Sequence, residues 1–401
     1  MSIPSTKYGL IFFFFIALIG VWLRALHWVS IPLSYSHLVH AHSHVAFQGW
    51  VYVTLFLLLI RSFLADGNLK KYRWQFFATI ITVLGILVSF AFYGYGLYSI
   101  TFSTLFQLLN YVFMFCFWKD TRHYLGSSIQ WVRVGFAFGV LSSIIPFFIG
   151  ILSAKGFSGT EIYHAAIFSF LHFQYNGWFL FMIIGLVYKL FEDKWLNFDT
   201  KKARKALFFL AAGTLFGVCL SYLGMEFLPK IYPIAILSII FKAIGLWYLL
   251  FSFPKQWLSI FSSKGWSRKY IFIFLGALIL KSLLQTISVF PSAIDLFFNN
   301  KYLILAYLHL SLIAMISCSL LALMHHYGWI ANTFLSRLGN VFLMMGFVVS
   351  EVLLVTGGLG MFYSPIIMLI ASGSMAFAVL CLILSPIQNK FSLWKRTNGS
   401  L

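Results

Sequence analysis

Apolar stretches of about 20 residues follow one another along the whole chain, and this pattern limits the fold more than any other feature. At 1.5 Å per residue, a helix of that length crosses the roughly 30 Å of hydrocarbon in a bilayer. The stretches predict twelve helices, at about 8–28, 38–62, 73–95, 99–119, 131–154, 160–190, 205–225, 231–252, 270–290, 302–325, 337–359 and 364–386. The connections between them are short. Only 9% of the 401 residues are charged and 61% are hydrophobic, so the chain lacks the charged surface a soluble domain of this size needs. The expectation is an all-α polytopic protein forming a single integral membrane domain, 1–401. The stretch Tyr8–Trp28 is long for a signal sequence and has no small-residue cleavage site, so it reads as a retained first helix.

The net charge of +19 need not mean nucleic acid, because membrane proteins gather Lys and Arg in cytoplasmic loops. With the N-terminus inside, 22 of the 28 basic residues fall on the inner side. The outer loops hold only Lys155, Lys230 and Lys301, and Arg24, Lys242 and Lys281 fall within spans. This asymmetry predicts an N-in, C-in orientation. Cys116, Cys219, Cys318 and Cys381 are scattered through apolar runs without a C-x-x-C pair, which argues against a disulfide framework or a thiolate metal site. No phosphate-binding loop, dinucleotide fingerprint, H-E-x-x-H or nucleophile elbow occurs.

The histidines are unevenly placed. His37, His40, His42 and His44 open helix 2, His164 and His172 lie on helix 6, and His309 lies on helix 10. All three helices run from outside to inside. His44, His309 and His172 come about six, seven and twelve residues into their helices, or roughly 9–18 Å from the outer boundary. Ionisable groups at that depth are costly and mark functional sites. His37, His40 and His44 share a helix face by the i, i+3, i+7 rule, and His42 points elsewhere. Any of His40, His42 and His44 remains open as a ligand or as a partner of one. His44 to Trp50 and His172 to Trp178 both read H-x4-G-W, and His309 to Ala314 is a weaker copy with Ala for Gly. The copies stand four helices apart, which suggests three four-helix units. A neutral imidazole ligates haem iron, copper or zinc. Lys242 on helix 8 and Glu351 on helix 11 are buried ionisable groups suited to a proton relay.

In these residues the sequence resembles the haem–copper oxidase subunit I superfamily. The carriers are His40-Ala-His42-Ser-His44 with Gly49-Trp50, Leu171-His172 through Gly177, and Tyr307-Leu-His309 through Ala314. The resemblance implies twelve helices in three four-helix arcs, with haem and copper ligands in the outer half of the membrane. There are departures. Helix 7, Lys205–Met225, has no histidine pair, Asn176 replaces the tyrosine four residues after His172, and helix 10 has one outer histidine. The implied protein therefore binds haem of b type through His44, or His40 or His42, together with His309. It lacks a complete haem–copper centre. His172 and His164 are further metal ligands, with copper as the alternative metal. Its work would be electron transfer or O2/NO redox chemistry, with an electron-donor protein or quinol as partner, no nucleic acid, and a bacterial cell membrane as its place. A weaker resemblance, through the His-Ala-His start, is to the NnrS family of haem- and copper-binding membrane proteins. Two alternatives stand beside this. One is a haem-handling or assembly protein. The other is a small-solute transporter, for which a six-helix period would be usual.

Overall fold

A computed structural model describes residues 5–64, 69–226, 231–261 and 265–387. Twelve helices in it are long and apolar enough to cross a bilayer. They are α1 (Ser5–Ala25), α2 (Tyr35–Phe63), α3 (Lys70–Tyr93), α4 (Leu97–Asp120), α5 (Ser127–Ala154) and α6 (Glu161–Asp193). They continue with α7 (Thr200–Tyr222), α8 (Tyr232–Ser252), α9 (Trp266–Ile287), α10 (Lys301–His326), α11 (Phe334–Gly358) and α12 (Pro365–Leu384). No strand occurs among the described residues. The chain is an all-α polytopic membrane protein, as run length and charge content predicted. Large apolar side chains such as Ile81, Phe115 and Ile370 are exposed, as a lipid-facing exterior requires. The expected extension of α9 to residue 290 is replaced by a turn and a short helix, Pro291–Phe298, where proline supplies the first helical residue.

The chain divides into two compact units. The first holds α1–α4, α11, α12 and the end of α10 from Leu320. Within it α1 packs on α2 and α12, α3 pairs with α4, and α11 pairs with α12. Lys7 closes this unit. Its ammonium donates to the carbonyls of Leu382 at 3.1 Å and Ile383 at 2.9 Å, and to that of Ser385. Those carbonyls end α12 and have no intrahelical donor, so a cation there satisfies them and meets the negative end of the helix dipole.

The second unit holds α5–α8, α9 from Arg268 and α10 to Ser319. Within it α5 packs on α6 and α7 pairs with α8.

Three helices depart from α geometry at related places. α2 is π-helical over Ala46–Tyr52, α6 over Phe173–Phe179 and α10 over Leu310–Ser317. In a π turn each carbonyl accepts from the residue five ahead, which inserts an extra residue and re-aims the side chains that follow. The same three helices are the most buried. The apolar core stretch is 89% buried in α6, 78% in α2 and 56% in α10, against at most 44% in the other nine.

Candidate functional site

Each π segment starts directly after a histidine singled out by the sequence, or one residue later. His172 and His309 are the last α-helical residues of their stretches, and His44 is the last but one. The H-x4-G-W glycines lie inside these segments, where they allow close packing. A Cβ on Gly49 would meet Phe12 of α1 at 2.8 Å, and a Cβ on Gly177 would meet Phe138 of α5 at 2.6 Å. The following Trp50 stacks on Phe13 with ring centroids 4.5 Å apart.

In the first unit the histidine face of α2 lies against the turn between α3 and α4. His44 Nε2 is 3.0 Å from the Tyr95 hydroxyl, and its ring stacks on Phe90 at 4.1 Å. His40 meets the Tyr95 ring edge-on at 4.6 Å. His37 sits against Gly94, whose φ of +59° is a conformation that other residues adopt only under strain. His42 faces α1 instead, with Nδ1 3.0 Å from the Ile16 carbonyl. The i, i+3, i+7 reading of this helix therefore matches the geometry. His44 is the member of the cluster best placed to take a ligand. Among the described residues its hydrogen-bond partner is a hydroxyl on an exposed side chain flanked by two glycines, Gly94 and Gly96.

The second unit is organised differently. His172 Nε2–H donates to the Thr214 carbonyl at 2.8 Å, and Nδ1 accepts from the Asn176 amide at 3.2 Å. Asn176 Oδ1 in turn accepts from the Lys281 ammonium. A lysine only donates, so Lys281 fixes which way the Asn176 amide points, and Asn176 fixes the His172 tautomer. With both ring nitrogens engaged, His172 has no lone pair left for a metal in this arrangement. Beside this chain Lys242 donates to Gln285 at 3.1 Å, and Gln285 donates to the Tyr307 hydroxyl at 2.8 Å. Lys242 reaches this place because α7 is thin there. A Cβ on Gly217 would come within 2.5 Å of Lys242 Nζ and 3.3 Å of His172 Cε1.

His164 is exposed near the start of α6. It precedes His172 by two helical turns, about 12 Å along the axis, so the two do not converge. His309 is half-buried on α10, whose π segment touches that of α6. Glu351 is half-buried on α11 of the first unit, whereas Lys242 belongs to the second. Among the described residues no group of three or more His, Cys, Asp and Glu side chains is arranged to hold a metal ion. Sequence reasoning missed Tyr95, Asn176, Gln285 and the link from Lys281 to α6. The one-turn spacings His172 to Asn176 and Lys281 to Gln285, each polar in an apolar helix, were the available signal.

No protein-family model and no curated protein matches this chain.

Proposed function

We propose that this is a haem-binding membrane protein acting in electron transfer or diatomic-gas chemistry, with His44 as its principal ligand. One observation carries the reading. The three most buried helices are those in which a histidine leads into a π segment, and π turns within α-helices gather at functional sites. The residues around His44 would suit it to hold a haem iron. Its imidazole is held flat against Phe90, and its Nε2 partner Tyr95 sits in a glycine-flanked turn that can release it. Bound at His44, haem would supply one-electron redox chemistry and a coordination position for a small gas. The chain's own part is to orient the imidazole, through Phe90 and the edge-on contact of His40 with Tyr95, and to keep that ring in an aromatic, water-poor setting. His309 is a second candidate imidazole in its own unit, and copper is the alternative metal. The excess of basic residues on one side of the span pattern supports an N-in, C-in orientation, and the membrane proposed is a bacterial plasma membrane.

The test is an absorption spectrum of protein purified from haem-replete cells. A Soret band that is lost in His44→Ala supports the reading. A colourless, metal-free preparation overturns it.

A further inference from the structure

The second unit buries two lysines, and among the described residues neither is paired with an acid. Lys281 is 3% exposed, and Lys242 lies half-buried against Gly217. An ammonium carries three N–H donors. The hydrogen-bond acceptor of Lys281 is Asn176 Oδ1 and that of Lys242 is Gln285 Oε1, both amide oxygens. Four donors are left over between them. The ion pairs among the described residues are Lys71–Asp120, Lys189–Asp193 and Lys202–Asp199, and none includes either lysine. The rings of Tyr175 and Tyr307 face Lys281 Nζ at 5.0 and 5.9 Å. Such contacts soften a buried charge but do not balance it. A lysine kept out of water stays an ammonium only if it finds a counter-charge or hydrogen bonds for all its donors, and otherwise gives up its proton; the side chains of this cluster supply neither in full.

We propose that α6, α8, α9 and α10 of the second unit form a binding site for a small inorganic anion, held by the Lys242 and Lys281 ammonium groups. An anion is the ligand class that accepts the leftover donors and offsets the charge together. A cation is repelled, and a neutral solute leaves the charge unbalanced. The ligand is small because α7 closes on Lys242 at Gly213 and Gly217, where a Cβ would come within 2.8 and 2.5 Å of its side chain. The site uses none of the residues placed around His44 and does not depend on a haem.

Thermal unfolding of the full chain in nanodiscs, titrated separately with sodium chloride, nitrate and nitrite, tests this. Ionic strength is held constant with sodium gluconate, whose anion is too bulky for the site. The expected result is a saturable rise in the unfolding midpoint with at least one small anion. Half-saturation should move upward at least tenfold in Lys281→Met and in Lys242→Met. Gly217→Ala keeps every charge but crowds Lys242 Nζ, and should weaken binding severalfold. No saturable effect of any small anion on the wild-type chain overturns the site. So does an unchanged half-saturation in folded, monodisperse Lys281→Met. If a lysine variant does not fold, the wild-type titration and Gly217→Ala decide alone. A colourless preparation should bind the anion equally, so failure of the haem reading is distinguishable from failure of this one.

Discussion

In the first unit Gly49 of α2 lies against Phe12 of α1, and in the second Gly177 of α6 lies against Phe138 of α5. A second pair of approaches repeats with the same offsets: Gly9 of α1 abuts Thr54 of α2, and Gly135 of α5 abuts Met182 of α6, which a Cβ on Gly135 would meet at 2.9 Å. The first partners are 126 residues apart (9 to 135, 12 to 138) and the second 128 (49 to 177, 54 to 182). His44 and His172 share the 128-residue offset, and both helices turn π-helical just beyond their histidine. One helix-pair frame is thus built twice. What differs is the partner of the imidazole. His44 meets an exposed tyrosine on a glycine-rich turn, whereas His172 is locked between a backbone carbonyl and an amide oriented by a buried lysine. Packing positions a histidine in both units, but the neighbouring helices decide whether its lone pair is available.

The largest expected effect separates the two imidazoles. His44→Ala should abolish the Soret band, while His172→Ala should leave it in place, because His172 has no lone pair to give. Absorption spectra of both variants, normalised to protein, check this. Equal loss in both would mean that the hydrogen bonds of His172 rearrange when the cofactor is bound, and the contrast between the units would fail.

The second effect is on stability. Asn176→Leu should destabilise the protein by about 3 kcal/mol, since it orphans a buried ammonium donor and a buried imidazole nitrogen together. Tyr95→Phe should change stability by less than about 0.5 kcal/mol, because its side chain is exposed. Unfolding curves of the two variants beside wild type measure the gap. Similar losses would show that the first cluster is as rigidly built as the second.

The third tests the shared frame. Gly49→Ala and Gly177→Ala should each cost about 2 kcal/mol by forcing a methyl group into a phenylalanine ring. The two costs should agree within about 1 kcal/mol if the frame bears the same strain in both units. A loss in one variant alone would reduce the repeat to a likeness of sequence.

How much of this was legible depended on what each feature leaves in the sequence. The twelve spans were readable because length and charge placement follow from lipid, whatever the packing. The division of α2 into a His37/His40/His44 face and a separate His42 was readable because four histidines in an apolar helix mark its period. The π segments were not. α6 is buried on nearly every side, so its apolar residues are spread round the whole helix and record no period that could shift from 3.6. Nor was the Lys281–Asn176 bond readable, since it joins residues 105 apart on different helices. Lys281 alone looks the same whether it snorkels to the membrane surface or turns inward to bond.

The smallest expected effect lies one helix further along each copy, at the starts of α3 and α7. α7 is capped by Asp199, whose carboxylate accepts the Lys202 backbone N–H at 2.9 Å. α3 has Leu69 at the same position and no side-chain cap. The bonds from Lys202, its backbone N–H first, hold the Asp199 carboxyl below the usual aspartate range. A carboxyl lowered in the folded state stabilises it above the unfolded value of about 3.9, and the gain is lost as pH falls through the lower folded value. Acid should therefore loosen the first turn of α7 below about pH 4 by releasing its cap, whereas at the start of α3 it weakens only the side-chain contacts of Asp120 with Lys71 and Tyr72 and frees no capped backbone N–H. Hydrogen exchange at residues 200–204 and 70–74, corrected for the intrinsic effect of pH on exchange, reads both ends in one experiment. Asp199→Asn keeps an acceptor for the Lys202 N–H but carries no titrating charge, so it should retain the cap and remove the pH dependence. If α7 responds to acid in that variant as in wild type, the response arises elsewhere, and the two helix starts differ in sequence without differing in behaviour.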